Sequence, residues 1–188
     1  GGGTLIEDLP SGFAAGVLLN MMDDPRHRLI RRLVAPAVSP RMLRELEDEL
    51  RQRTAAILDT ALARPSCDFL IEVAAELPLQ AIAELLGVPL EDRTKLFDWS
   101  NRMIGFDDPE FQGDRSEGME AAGELYLYFN ALADERRADP ADDLVTKLIN
   151  AEVEGDKLSE SEFDMFALLL TVAGNETTRN AISHGMHA

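Results

Sequence analysis

The segment Ala173-Gly174-Asn175-Glu176-Thr177-Thr178-Arg179-Asn180 puts carboxylate, hydroxyl and amide groups directly after a run, Phe163 to Ala173, that is apolar almost throughout. Polar atoms inside a core are costly unless paired, so their presence there needs a reason. Gly174 weakens a helix by about 1 kcal/mol relative to alanine. The Thr177 hydroxyl, four residues after Ala173, can take the carbonyl that the helical ladder uses. Together they predict a local widening or kink. A groove floored by glycine, walled by a hydroxyl and flanked by the Glu176 carboxylate suits a small diatomic ligand and a proton relay. On spacing alone the alternative stands beside it: Gly174 packs against a crossing helix while Glu176 and Thr178 face water.

A second group lies in Asp23-Asp24-Pro25-Arg26-His27-Arg28-Leu29-Ile30-Arg31-Arg32-Leu33-Val34. His27 and Arg31, four apart on one helix, share a face and can clamp an anionic group, with arginine offering a planar fork for carboxylate. The alternatives are a solvated basic face and a DNA-recognition helix, the latter disfavoured by overall charge. Other reactive types read as bland. Cys67, in Pro65-Ser66-Cys67-Asp68, is an ordinary small residue; His184 and His187 lack a third ligand for a metal; Trp99, Tyr126 and Tyr128 read as packing residues.

The elements that must carry these groups are helical nearly throughout. Asp24 is expected to cap a first helix with Pro25 at its first position. Ser39-Pro40 opens a second that runs to Ala63 with Leu43, Leu46, Leu50, Ile57, Leu58 and Leu62 at helical spacing. Asp68 caps a very apolar helix, Phe69 to Leu86, stopped by Gly87 and Pro89. Further helices are expected from about Glu91 to Ile104, from about Glu110 to Arg137, and from Asp142 to Ala151. Val153 to Leu158 reads as a turn or tiny hairpin. Ser159 and Glu162 form a capping box that opens the last helix, whose first half is apolar all round and therefore belongs at the centre of the protein. The fold class is all-α.

Composition bounds the function. The 188 residues are 45% hydrophobic and 28% charged with a net charge of −17, which fits a globular protein and disfavours nucleic acid or anionic lipid as partners. One cysteine excludes an internal disulfide. No apolar run is long enough to span a membrane, and a cytoplasmic location is the default. Charge is uneven, with nine arginines against five acidic residues between Pro25 and Arg64, a basic island in an acidic chain. The start at Gly1-Gly2-Gly3 and the end at Ala188 without a helix-stop signal read as a fragment, so residues 1–188 are expected to be a single partial domain.

Taken together and in this order, the segments resemble the cytochrome P450 family of haem-thiolate monooxygenases. Asp24 to Val34 is similar to the family's C helix with its H-x-x-x-R pair. Asp68-Phe69 through Leu77-Pro78-Leu79, Ile82 and Leu85-Leu86-Gly87-Val88-Pro89 is similar to the E-helix region, and Ala173-Gly174-Asn175-Glu176-Thr177-Thr178 matches the I-helix signature. The resemblance implies the central helical part of that fold, C to I helix, without its sheet and Cys-loop portions. It implies haem b, with propionates bound by His27 and Arg31, and Ala173 and Gly174 over the distal face where dioxygen binds. Thr177 and Glu176 would deliver protons, and Leu169 and Val172 would face an apolar substrate, a steroid, terpene or fatty chain. Asn20, Met22 and the region Met103 to Phe106 would line the rest. A ferredoxin or flavodoxin-type electron donor is implied, docking on Arg26, Arg28 and Arg32. The family's E-x-x-R pair and its Phe-x-x-Gly-x-x-x-Cys-x-Gly loop, which carries the iron ligand, do not occur in these 188 residues. The rival from another class is a non-catalytic all-helical ligand-binding module.

Overall fold

The computed structural model describes residues 18–38, 40–105 and 115–188. Gly1, Gly2, Gly3, Ser39, Phe106 and Glu110, all used above, lie outside them. The described residues form α1 (Arg26–Val34), α2 (Pro40–Leu62), α3 (Glu76–Leu86), α4 (Arg93–Ile104), α5 (Arg115–Ala138), α6 (Leu144–Ile149) and α7 (Glu160–His187). A two-stranded antiparallel hairpin, β1 (Glu152–Val153) and β2 (Asp156–Lys157), precedes α7. The fold is all-α, as the periodicity requires. The hairpin turn places Glu154 and Gly155 at φ 57° and 88°, the left-handed pair that a two-residue connection needs.

The spine of the core is α5. Ala121, Leu125, Phe129 and Ala133 repeat every four residues on one face and are completely buried. Leu96 and Trp99 of α4, Leu144 and Leu148 of α6, and Phe163 and Phe166 of α7 close around them. Ile30 and Leu33 of α1 join the same cluster, so the helix with the basic face is anchored by its apolar one.

Asp24 does not cap α1. Pro25 occupies the cap position without a side-chain bond, and the Asp24 carboxylate accepts from Arg28 Nη2 at 2.5 Å, an i,i+4 charge pair competing with the cap. Asp68 does cap its segment, accepting from Ile71 N at 3.1 Å. That segment is not one regular helix, however. Leu70–Ala74 is a π-helical turn in which Ala75 N donates to Leu70 O at 2.8 Å, and α3 follows it. Pro78 supplies the cause, since its ring crowds the carbonyl four residues back, that of Ala74, and the wider turn moves it aside.

The end of α3 is a Schellman motif: Gly87 sits at φ 76°, Gly87 N donates to Glu84 O at 3.0 Å and Val88 N to Ala83 O at 2.7 Å. Gly87 is also a point of close approach. A Cβ there would collide with the carboxylate of Asp143, a buried group that caps α6 by accepting from Thr146 N at 2.7 Å. Arg136 of α5 pairs with Asp143 and donates from Nη2 to Gly87 O at 2.9 Å, so three helix ends meet in one polar knot.

Both halves of the capping box are present on α7, with Ser159 N donating to Glu162 Oε2 at 2.9 Å and Glu162 N to Ser159 Oγ at 3.3 Å. Burial of α7 is one-sided rather than all round. Phe163, Phe166, Ala167, Thr171 and Asn175 are buried, whereas Leu168, Leu169, Leu170 and Val172 are half-buried and Ala173 is exposed. Helices α3, α4 and α5 and the turn Leu70–Ala74 pack on α7, and the stripe of Leu169, Ala173 and Thr177 is left partly or fully open by the described residues. Among those residues no helix is long and apolar enough to cross a membrane.

Candidate active site

Helix α7 runs as a regular α-helix through Gly174, without the widening expected there. Thr177 Oγ1 donates to Ala173 O at 2.6 Å, as its spacing predicts. A carbonyl has two lone pairs, so this bond adds to the ladder without displacing it. Leu169, Ala173 and Thr177, four residues apart, lie in one stripe, with Val172 and Glu176 beside it. This is the uncovered face: Ala173 and Thr177 are exposed, and Leu169, Val172 and Glu176 are partly so. The structure thus brings five of the site residues named from sequence onto one open surface.

Gly174 points the other way. A Cβ on it would collide with Ile82 Cδ1 and lie 2.9 Å from Ile82 Cγ1, so the space its missing side chain leaves is filled by α3. Of its two sequence readings, packing against a crossing helix is the contact present. Thr178 is exposed. The Glu176 carboxylate is not left to water alone: Arg179 Nη2 lies 3.7 Å from it, and Arg179 Nη1 donates to Asn101 Oδ1 of α4 at 3.3 Å.

On α1, the His27 side chain is 41% exposed, with Nδ1 4.0 Å from Asp24 Oδ1. Arg31 is exposed and has no hydrogen bond or ion pair among the described residues. Its neighbours differ. Arg26 Nε donates to Glu162 Oε1 at 2.6 Å, Arg28 pairs with Asp24, and Arg32 Nη2 donates to Glu154 Oε1 at 2.8 Å. Three of the four guanidinium groups of α1 are therefore met by carboxylates of this chain, which weakens the basic island and leaves Arg31 for another anion. Burial alone would raise the Glu162 carboxyl, but Arg26 and the Ser159 amide and hydroxyl outweigh it and hold it below the usual range. The turn Leu19–Met21, which includes Asn20, touches both α1 and α7.

The bland assignments have plain structural partners. Trp99 is buried and donates from Nε1 to Glu124 at 2.8 Å, Tyr128 donates to Asp92 at 2.9 Å, and Tyr126 OH lies 3.5 Å from Met165 Sδ. Cys67, His184 and His187 are exposed. Two residues escaped the sequence reading. Ser100 of α4 and Asn175 of α7 are buried together with Thr171, and Ser100 Oγ donates to Thr171 O at 3.3 Å. Their signal was register: Thr171 and Asn175 continue the face of Phe163 and Ala167 and had to be buried with it.

The helical fold places His27 and Arg31 on a short helix and a hydroxyl and a carboxylate on the open face of a long one. No family model matches the chain. It is 52% identical over 172 residues to the steroid C26-monooxygenase of Mycolicibacterium smegmatis, covering 92% of this chain and 40% of that protein. It is 40% identical over 171 residues to the methyl-branched lipid omega-hydroxylase of Mycobacterium tuberculosis, covering 89% of this chain and 40% of that one. A solved cytochrome P450 of Mycobacterium marinum, in complex with pseudoionone, superimposes with a TM-score of 0.87 at 36% identity over 97% of this chain and 45% of its own. The chain belongs to the cytochrome P450 family and spans about two fifths of the length of the curated relatives it matches.

Proposed function

We propose that this chain is part of a haem monooxygenase domain that hydroxylates an apolar substrate, a steroid or a branched lipid chain, with electrons from a ferredoxin or flavodoxin-type donor. The observation that carries this is the uncovered face of α7, where an apolar approach (Leu169, Val172, Ala173) leads to a hydroxyl (Thr177) and a carboxylate (Glu176). The names of the relatives, a steroid monooxygenase and a lipid hydroxylase, support the substrate class.

The residues present fit haem. Arg31, a cation without a protein partner among the described residues, and half-exposed His27 one turn before it suit two carboxylates at the edge of a flat apolar ligand. When bound, haem supplies the iron at which dioxygen is activated. The protein's own groups do the rest. Leu169 and Val172 exclude water and bind substrate, and Ala173 keeps the centre of the stripe shallow. Thr177 serves as a proton donor once its hydroxyl hydrogen turns from the Ala173 carbonyl, which holds it at 2.6 Å in this structure, and Glu176 returns protons from solvent. Gly174 acts indirectly, letting α3 support α7 from behind. The donor's docking surface includes α1, where association is weakened by salt.

The test is the reduced carbon-monoxide difference spectrum of the full-length protein. A thiolate-type band near ~450 nm is expected, because the ligand of this family is a cysteine thiolate. Absence of that band in haem-loaded protein refutes the proposal.

A further inference from the structure

Asn175 is 2% exposed, and neither its side-chain oxygen nor its side-chain nitrogen has a hydrogen-bond partner among the described residues. The other three polar residues buried as deeply among the described ones are provided for: Asp143 has Arg136 and Thr146, Thr171 donates to Ala167 O at 2.9 Å, and Ser100 donates to Thr171 O. An amide offers two hydrogens and two lone pairs, and leaving all four unused in a packed joint is the most costly way to bury it. Bulk solvent does not serve it, since the amide oxygen and nitrogen are themselves buried.

The surroundings indicate what serves it instead. Thr171 lies one turn before Asn175 on the same face, and Ser100 reaches across from α4 to that turn. The Thr171 and Ser100 hydroxyls each spend their hydrogen on a carbonyl and keep lone pairs free to accept. On the next turns of α7, Arg179 bonds to Asn101 of α4, and the Ser183 hydroxyl is another buried atom without a partner. The α4–α7 joint is thus a polar seam with spare donors and acceptors at Asn175. The ligand that satisfies both from a small space, with two donors and two acceptors of its own, is water.

We propose that Asn175 anchors a buried water site in the α4–α7 joint, shared with the Ser100 and Thr171 hydroxyls. α4 is then seated on α7 through bound water rather than by apolar contact alone. The proposal does not rest on the enzymatic role assigned above.

The test is the ordered solvent in a high-resolution crystal structure of the haem-loaded full-length protein. At least one water within 2.7–3.2 Å of the Asn175 amide and of Ser100 or Thr171 is expected. A dry amide, or one bonded directly to protein atoms, overturns the proposal. A double-mutant cycle, Asn175→Leu with Ser100→Ala, gives a second readout in thermal unfolding midpoints. A shared water makes the two losses non-additive, the second substitution costing less once the first has removed the water. Additive losses overturn it. The carbon-monoxide spectrum of the same samples reports the haem separately, so failure here and failure of the proposed function are distinguishable.

Discussion

Gly174→Ala separates the two jobs a glycine can do in the middle of α7. Two effects oppose each other. Alanine gains about 1 kcal/mol of helix propensity. The new methyl meets Ile82 Cδ1 and sits 2.9 Å from Ile82 Cγ1; Cδ1 is the flexible tip, but Cγ1 moves only with χ1, so the side chain must change rotamer. Overpacking of this kind costs about 1–3 kcal/mol, so the net change is a loss of about 0–2 kcal/mol. Ile82→Ala removes both obstructing atoms at its own cost of about 2 kcal/mol, the low end for a residue that is only half-buried. In the double variant the clash is gone and the propensity gain returns, giving a favourable coupling of about 1–3 kcal/mol. Thermal midpoints and Soret spectra of the four haem-loaded full-length proteins are the assay. A lowered midpoint for Gly174→Ala, rescue in the Ile82→Ala background and an unchanged Soret band are expected. A raised midpoint together with a perturbed Soret band would show that Gly174 serves the open face instead.

Thr177→Ala is expected to keep haem but divert electrons to peroxide, while Thr177→Ser retains most product; unchanged coupling of electron use to product in the alanine variant would make the hydroxyl purely structural. Arg31→Ala should raise the haem dissociation rate by at least tenfold, about 1.4 kcal/mol, measured by transfer to a haem acceptor, with Arg28→Ala as the near-neutral control. Gly87→Ala combines a left-handed backbone with a collision against a buried carboxylate and should cost about 3 kcal/mol or more in unfolding experiments; a loss under 1 kcal/mol would contradict the close approach to Asp143. The Glu162 carboxyl is held below its ordinary value, so its contribution is present above the unfolded value, about 4.3, and is lost as pH falls through the folded one. Glu162→Gln should therefore be less stable than the parent at pH 7, with the gap closing in thermal scans below about pH 4.

Local chemistry was legible in the sequence. The capping box at Ser159 and Glu162, the stop at Gly87, the Asp68 cap and the Thr177 back-bond all formed where spacing placed them, because each depends on residues within five positions of one another. The family's motifs added the candidate site, of which Leu169, Val172, Ala173, Thr177 and Glu176 share the open side of α7 because four-residue spacing is itself a geometric statement. What escaped was non-local. Nothing in the order of residues says that Arg26 pairs across 136 positions with Glu162, or Arg32 across 122 with Glu154, and these contacts turned a basic helix into a largely compensated one. The widened turn was expected at Gly174 and occurs at Leu70–Ala74. A threonine back-bond is accommodated by a spare lone pair, whereas the Pro78 ring demands space. Composition promised burial all round α7, but the amount of surface covered depends on how many helices reach it, and the described ones reach one side.

The carboxylate of Glu162 belongs to two structures at once. It closes the first turn of α7 through Ser159 and receives Arg26 from α1. Thr177 is fifteen residues further along the same rod, roughly 22 Å away at 1.5 Å per residue. That one oxygen pair therefore acts as a datum: it fixes where α7 begins counting and, through the helix bearing His27 and Arg31, where the clamp stands. A small rotation of α1 about that pin would swing the clamp relative to the Thr177 end of the rod. Under the proposed function, accuracy at the site is thus set at the far end of α7, and a side chain outside the candidate site governs the alignment of the residues within it.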